Sequence, residues 1–83
     1  MNVRQQILSS IRRVASEQNR ALAPIADELP LVNTGLDSLS FAVLVANLEE
    51  ELGVDPFAET ENIEPPVTIG DFVKLYEDAL KVE

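Results

Sequence analysis

The stretch Gly35-Leu36-Asp37-Ser38-Leu39-Ser40-Phe41-Ala42-Val43-Leu44-Val45-Ala46-Asn47-Leu48-Glu49-Glu50-Glu51-Leu52-Gly53 decides how this chain is read. It predicts a helix from about Ser38 to Leu52, with Gly53 as its C-terminal stop. At about 100° per residue, Phe41, Leu44, Val45, Leu48 and Leu52 share one side and form a core-facing stripe. Leu39, Ala42, Val43 and Ala46 fall on the opposite face, where a surface helix ordinarily carries polar side chains. The helix is therefore apolar on two sides. Burial beneath a loop is one explanation, and a contact strip for another protein is the other. In so small a chain the contact strip is the reading we favour. Glu49 and Glu50 continue that side and give the apolar centre an acidic rim, a layout suited to transient docking.

Working outward, residues 3–16 predict a first helix, with Asn2 as candidate N-cap. Val3, Ile7, Ile11 and Val14 recur at helical spacing, while Gln5, Gln6, Ser9, Arg12 and Arg13 face outward. A connection of about twenty residues follows, longer than most that lack structure of their own. Pro24, Pro30 and Gly35 punctuate it, and Ile25, Leu29, Leu31 and Leu36 are expected to pack it across the helices. Beyond Gly53, Asp55-Pro56-Phe57 predicts a turn, and residues 58–63 one short helical turn around Ile63. Pro65-Pro66 ends that segment. Thr68-Ile69-Gly70-Asp71 approximates a capping box, and Ile69, Phe72, Val73, Tyr76 and Leu80 form the buried stripe of a last helix. No segment alternates as a strand does. The expected fold is all-α: a small four-helix bundle (three main helices plus one short helix), with a long loop between helices I and II and residues 1–83 as one domain.

Composition narrows the function. The chain has 83 residues, 46% of them hydrophobic, no Cys, no His and a net charge of −9. Residues 1–36 hold four Arg against Glu17, Asp27 and Glu28, whereas residues 37–83 hold twelve acids against Lys74 and Lys81. So acidic a region repels nucleic acid and anionic lipid and favours partners with basic surfaces. No apolar run approaches the roughly 20 residues of a membrane span. The amino terminus lacks the apolar core of a signal peptide, so a cytoplasmic location is expected. Without Cys, any thioester chemistry must take its sulfur from a cofactor.

Asp37-Ser38 has a plain explanation as a helix N-cap. Its surroundings favour more: the pair follows Gly35, closes the long connection and opens the doubly apolar helix. A phosphodiester there is expected to meet free backbone N–H groups and the positive end of the helix dipole. A serine hydroxyl suits a phosphate-linked arm, and Asp37 is a candidate for positioning a transferase or its Mg²⁺.

On these residues the chain resembles the acyl carrier and peptidyl (aminoacyl) carrier proteins, over nearly its whole length. Gly35-Leu36-Asp37-Ser38-Leu39 matches their attachment motif. Leu44-Val45 with Leu48-Glu49-Glu50-Glu51-Leu52-Gly53-Val54 matches their recognition helix, and Val67-Thr68-Ile69-Gly70-Asp71-Phe72-Val73 the start of their last helix. The resemblance implies a free-standing carrier, not an enzyme, with 4′-phosphopantetheine attached covalently to Ser38 and Asp37 beside it. It puts Leu39, Ala42, Val43, Ala46, Glu49 and Glu50 on the partner-facing side. Implied partners are a phosphopantetheinyl transferase, an acyl- or aminoacyl-loading ligase and downstream transferases; no nucleic acid, membrane or metal is implied, and a monomer is expected. Fatty-acid carriers usually have acids where Ser40 and Val43 stand here, a bulkier apolar residue at Ala46 and a larger apolar residue at Thr34. Those departures favour a specialised acyl or aminoacyl pathway over primary fatty acid synthesis.

Rival readings are weaker. Catalysis lacks His, Cys, a Ser-His-Asp set and a nucleotide-binding glycine motif, and Glu49-Glu50-Glu51 on an exposed helix make no dry acid/base pair. Residues 55–64 lack the spacing and central Gly of a Ca²⁺ loop. An unmodified helical interaction module that has kept the carrier fold remains the alternative.

Overall fold

The computed structural model describes residues 2–59 and 65–80. These form α1 (Val3–Glu17), a 3₁₀ turn (Leu31–Asn33), α2 (Ser38–Leu52), the four-residue α3 (Pro56–Glu59) and α4 (Ile69–Leu80). Among the described residues there is no strand, only an isolated antiparallel bridge between Pro30 and Thr68. The fold is all-α with three long helices. The short turn expected around Ile63 lies outside the described residues. What is described begins two residues earlier than residue 58, because Pro56 suits the first helical position and the Asp55 carboxylate accepts the Phe57 amide at 3.0 Å.

Each long helix starts where a side chain meets an orphan amide. Asn2 accepts the Gln5 N–H at 3.1 Å, and Asp37 accepts that of Ser40 at 2.8 Å. At α4, Thr68 accepts the Asp71 N–H at 3.1 Å while Asp71 accepts the Thr68 N–H at 3.3 Å, a reciprocal box. The stops are left-handed residues. Gly53 has φ 77° at the end of α2. Asn19 has φ 56° after α1, where Asn19 N–H donates to Ser16 at 3.2 Å and Arg20 N–H to Ala15 at 2.7 Å. That Schellman arrangement carries α1 one residue beyond the expected Ser16.

The core is made of Ile7, Ile11 and Val14 of α1, Leu44, Leu48 and Leu52 of α2, and Ile69, Phe72, Val73 and Tyr76 of α4. α1 packs on both α2 and α4, and α3 on α4. The buried stripe of α2 is turned from the expected one: Ser40 is fully buried, whereas Phe41 and Val45 are half-buried. Residues 18–37 are not an uninterrupted loop, since the 3₁₀ turn breaks them. Leu22, Ile25, Leu29, Leu31 and Leu36 pack against the core. Leu31 N–H to Val67 (2.8 Å), Ile69 N–H to Leu29 (3.0 Å) and Gly70 N–H to Asp27 (2.9 Å) tie the connection to the start of α4.

Candidate functional site

Ser38 is the first residue of α2 and is exposed. The loop ahead of it is held from two directions. Thr34, buried, donates its hydroxyl to the Leu31 carbonyl at 2.8 Å and accepts the Leu36 N–H at 3.3 Å. Both bonding capacities of the buried hydroxyl are thus used within the loop. Gly35 has φ 103°, and a Cβ there would lie 2.1 Å from the Ala21 carbonyl oxygen, so only glycine lets the two segments touch.

Asp37 is exposed and lies within the turn that starts α2. The Ser40 amide holds its carboxyl below the usual carboxylate range, and the Arg20 guanidinium, 3.6 Å away, adds to this. The buried Ser40 hydroxyl sits beside the same carboxylate without a well-formed hydrogen bond. The Ser40 amide is therefore taken, and an anion on Ser38 does not meet the fully open helix N-terminus expected from the sequence.

Ser38 also borders an open cleft of about 400 Å³ lined by apolar side chains, among them Leu31, Leu36, Phe41 and Phe57. Beneath it four rings touch: Phe41 on Phe72 (centroids 5.3 Å apart), Phe57 on Phe72 (6.3 Å) and on Tyr76 (6.5 Å), and Phe72 on Tyr76 (5.1 Å). Burial pushes the Tyr76 phenol up, and the Asp55 and Glu49 carboxylates add to this. Among the described residues its hydroxyl has no hydrogen-bond partner. A larger depression of about 580 Å³, between α1 and α4, contains none of the expected site residues.

On α2, Leu39 (65% exposed), Ala42, Ala46, Glu49 and Glu50 are exposed. Val43 is not wholly on that free side: it is half-buried and packs against the core. Val32 of the 3₁₀ turn is exposed too, at 88%, and lines the cleft beside Ser38. Glu51 departs from its two neighbours. It accepts from Gln6 at 2.5 Å, from the buried Ser10 hydroxyl at 2.8 Å and from Arg13, so Gln6 and Arg13 do not simply face outward. Burial opposes its charge, but these three donors outweigh that and lower its pKa.

The model of the phosphopantetheine attachment site family matches residues 5–60. The chain belongs to that family. No curated protein and no solved structure matches it. Domains of this family are carriers and not catalysts; a serine holds 4′-phosphopantetheine covalently, and a phosphopantetheinyl transferase and further enzymes act on the domain. The geometry fits such an arm, with an exposed serine at a loop–helix junction, an apolar cleft beside it and a guanidinium close to the neighbouring carboxylate.

Sequence reasoning missed three groups here: Arg20, the cross-helix bonds of Glu51, and Phe57 with Tyr76 under the cleft. Asn19 was the available signal for Arg20, since a left-handed Asn marks where a helix ends and the chain turns back.

Proposed function

We propose that Ser38 bears the 4′-phosphopantetheine arm and that residues 1–83 work as one carrier domain of the four-helix type, α3 supplying its short helix. The observation that carries this is the placement of the five serines, all within the family match. Ser10 and Ser40 are fully buried, and Ser9 and Ser16 lie within α1. Ser38 is the exposed serine at a helix start, bordering the apolar cleft. The arm, when bound, supplies the thiol that this cysteine-free chain lacks; Ser38 anchors it, Asp37 stands beside the anchor, and the cleft offers its methylene groups an apolar wall.

The cargo is a small or specialised acyl or aminoacyl group, loaded by a ligase and passed to downstream transferases in the cytoplasm. Support comes from the close contacts of Phe41, Phe72 and Tyr76, whose rings pack together beneath the cleft where a long chain would have to enter. Leu39, Ala42, Val43, Ala46, Glu49 and Glu50 form the docking strip in this reading. The test of the anchor is mass spectrometry after incubation with coenzyme A, Mg²⁺ and a broad-specificity phosphopantetheinyl transferase. One phosphopantetheinyl group is expected on the wild type and none on Ser38→Ala, whose helicity is retained because Asp37 is the cap. Modification persisting in Ser38→Ala sinks the assignment.

A further inference from the structure

Resting on Ser38 as the anchor, we propose that Arg20 is a positioning residue for the attachment reaction, holding Gly35 and Asp37 in place and acting as counter-charge to the phosphodiester formed beside them. Its Nε donates to the Gly35 carbonyl at 2.9 Å, and Nη1 lies 3.6 Å from Asp37 Oδ2. The other oxygen of Asp37 accepts the Ser40 amide, so one carboxylate links Arg20 to the first turn of α2. Arg20 is itself fixed at its backbone, where its N–H closes the end of α1 on Ala15. The same two segments meet again at Ala23 N–H to Thr34 (3.0 Å) and where Gly35 lies against Ala21. The end of α1 is thereby coupled to the anchor loop across fifteen residues of sequence.

The chemistry asks for a cation at this point. In the attachment step the serine oxygen forms a bond to the phosphorus that bears pantetheine in coenzyme A. The pyrophosphate bridge breaks, adenosine 3′,5′-bisphosphate leaves, and the serine proton passes to a base of the transferase. A permanent negative charge is left next to the Asp37 carboxylate. An anion one residue from a carboxylate is repelled, and a guanidinium already paired with that carboxylate offsets the repulsion without new ordering of a side chain.

Initial rates of phosphopantetheinylation of the full chain test this for wild type, Arg20→Gln and Arg20→Lys, followed by ³¹P NMR of each product. Arg20→Gln is expected to lower kcat/KM about fivefold, the upper end of what an exposed ion pair contributes. Arg20→Lys, which keeps the charge but not both donors, should recover part of that at low salt, with thermal midpoints within about 2 °C of wild type. The phosphodiester resonance should move in Arg20→Gln and not in Arg20→Lys. Arg20→Gln modified at the wild-type rate with an unmoved resonance overturns the proposal. So does a Lys variant no better than Gln, or a rate loss that tracks a lowered thermal midpoint. Absence of any mass gain on the wild type would instead remove the Ser38 reading, and this proposal with it.

Discussion

The Asp37 carboxylate accepts the Ser40 amide at 2.8 Å, and this bond starts α2 at Ser38. One acid thus caps the helix and stands beside Ser38, the proposed anchor.

That bond makes the start of α2 sensitive to acid. Because the folded state holds the Asp37 carboxyl below its ordinary range, its stabilisation is present above the unfolded value and fades as pH falls through the lowered folded value. Carbon-detected NMR should therefore place the Asp37 titration below that of a free aspartate. Asp37→Asn, which can still cap, should remove this share of the acid dependence of the thermal midpoint while keeping α2 intact. An ordinary Asp37 titration counts against the cap as the cause.

The exposed side of α2 should tolerate charge where the buried side does not. Ala42→Glu and Ala46→Glu are expected to leave stability within about 0.5 kcal/mol and to weaken transfer from a loading enzyme mainly through faster dissociation. Leu48→Glu, at a fully buried position, should unfold the domain. Equal destabilisation by Ala42→Glu and Leu48→Glu would show that the strip belongs to the core.

Glu51 and Glu50, neighbours in sequence, should behave differently. Glu51→Ala strips the acceptor from Gln6, Ser10 and Arg13 and is expected to cost about 1–2 kcal/mol in urea unfolding. Glu50→Ala should cost nearly nothing. If the two variants unfold alike, the α1–α2 bonds contribute no net stability.

Tyr76 carries a buried hydroxyl with no partner among the described residues. Removing it keeps the ring contacts with Phe57 and Phe72, so Tyr76→Phe is expected to raise stability by up to about 1 kcal/mol. A loss of that size or more in chemical denaturation would mean that the hydroxyl is satisfied.

The ring cluster also sets an expectation for cargo. Holo protein loaded with groups from acetyl to dodecanoyl, and with glycine or alanine, should show amide shifts confined to the surroundings of Ser38. Shifts at the fully buried Leu44, Phe72 and Tyr76 that grow with chain length would reveal a chain entering between the helices and defeat the preference for small cargo.

Much of this was legible in the chain itself. The bounds of α2, the box at Thr68–Asp71, the cap at Asn2 and the stop at Gly53 follow from bonds within one turn of helix, which local residue types specify. The stripe of α4 was largely legible: Ile69, Phe72, Val73 and Tyr76 repeat at helical spacing and are buried, while Leu80, expected with them, is only half-buried at the end of the helix. The stripe of α2 was only partly so. Periodicity gives the faces of a helix but not its rotation against α1, and that rotation buries Ser40 and half-covers Val43.

The chain alone thus determined the helices, the acidic balance of its second half and the serine at a helix start, because propensity, capping and charge are short-range properties. Which acid is free and which is bonded was decided only by tertiary packing. Glu51 lies 41 residues from Ser10, and Gly35 lies 15 from Arg20. No local pattern couples such pairs; only the packing of α1 against α2 and the turn after α1 bring them within hydrogen-bond reach. The same packing sets Phe41, tilted, and Phe57, stacked, against Phe72 and so places both rings in the lining of the cleft beside Ser38.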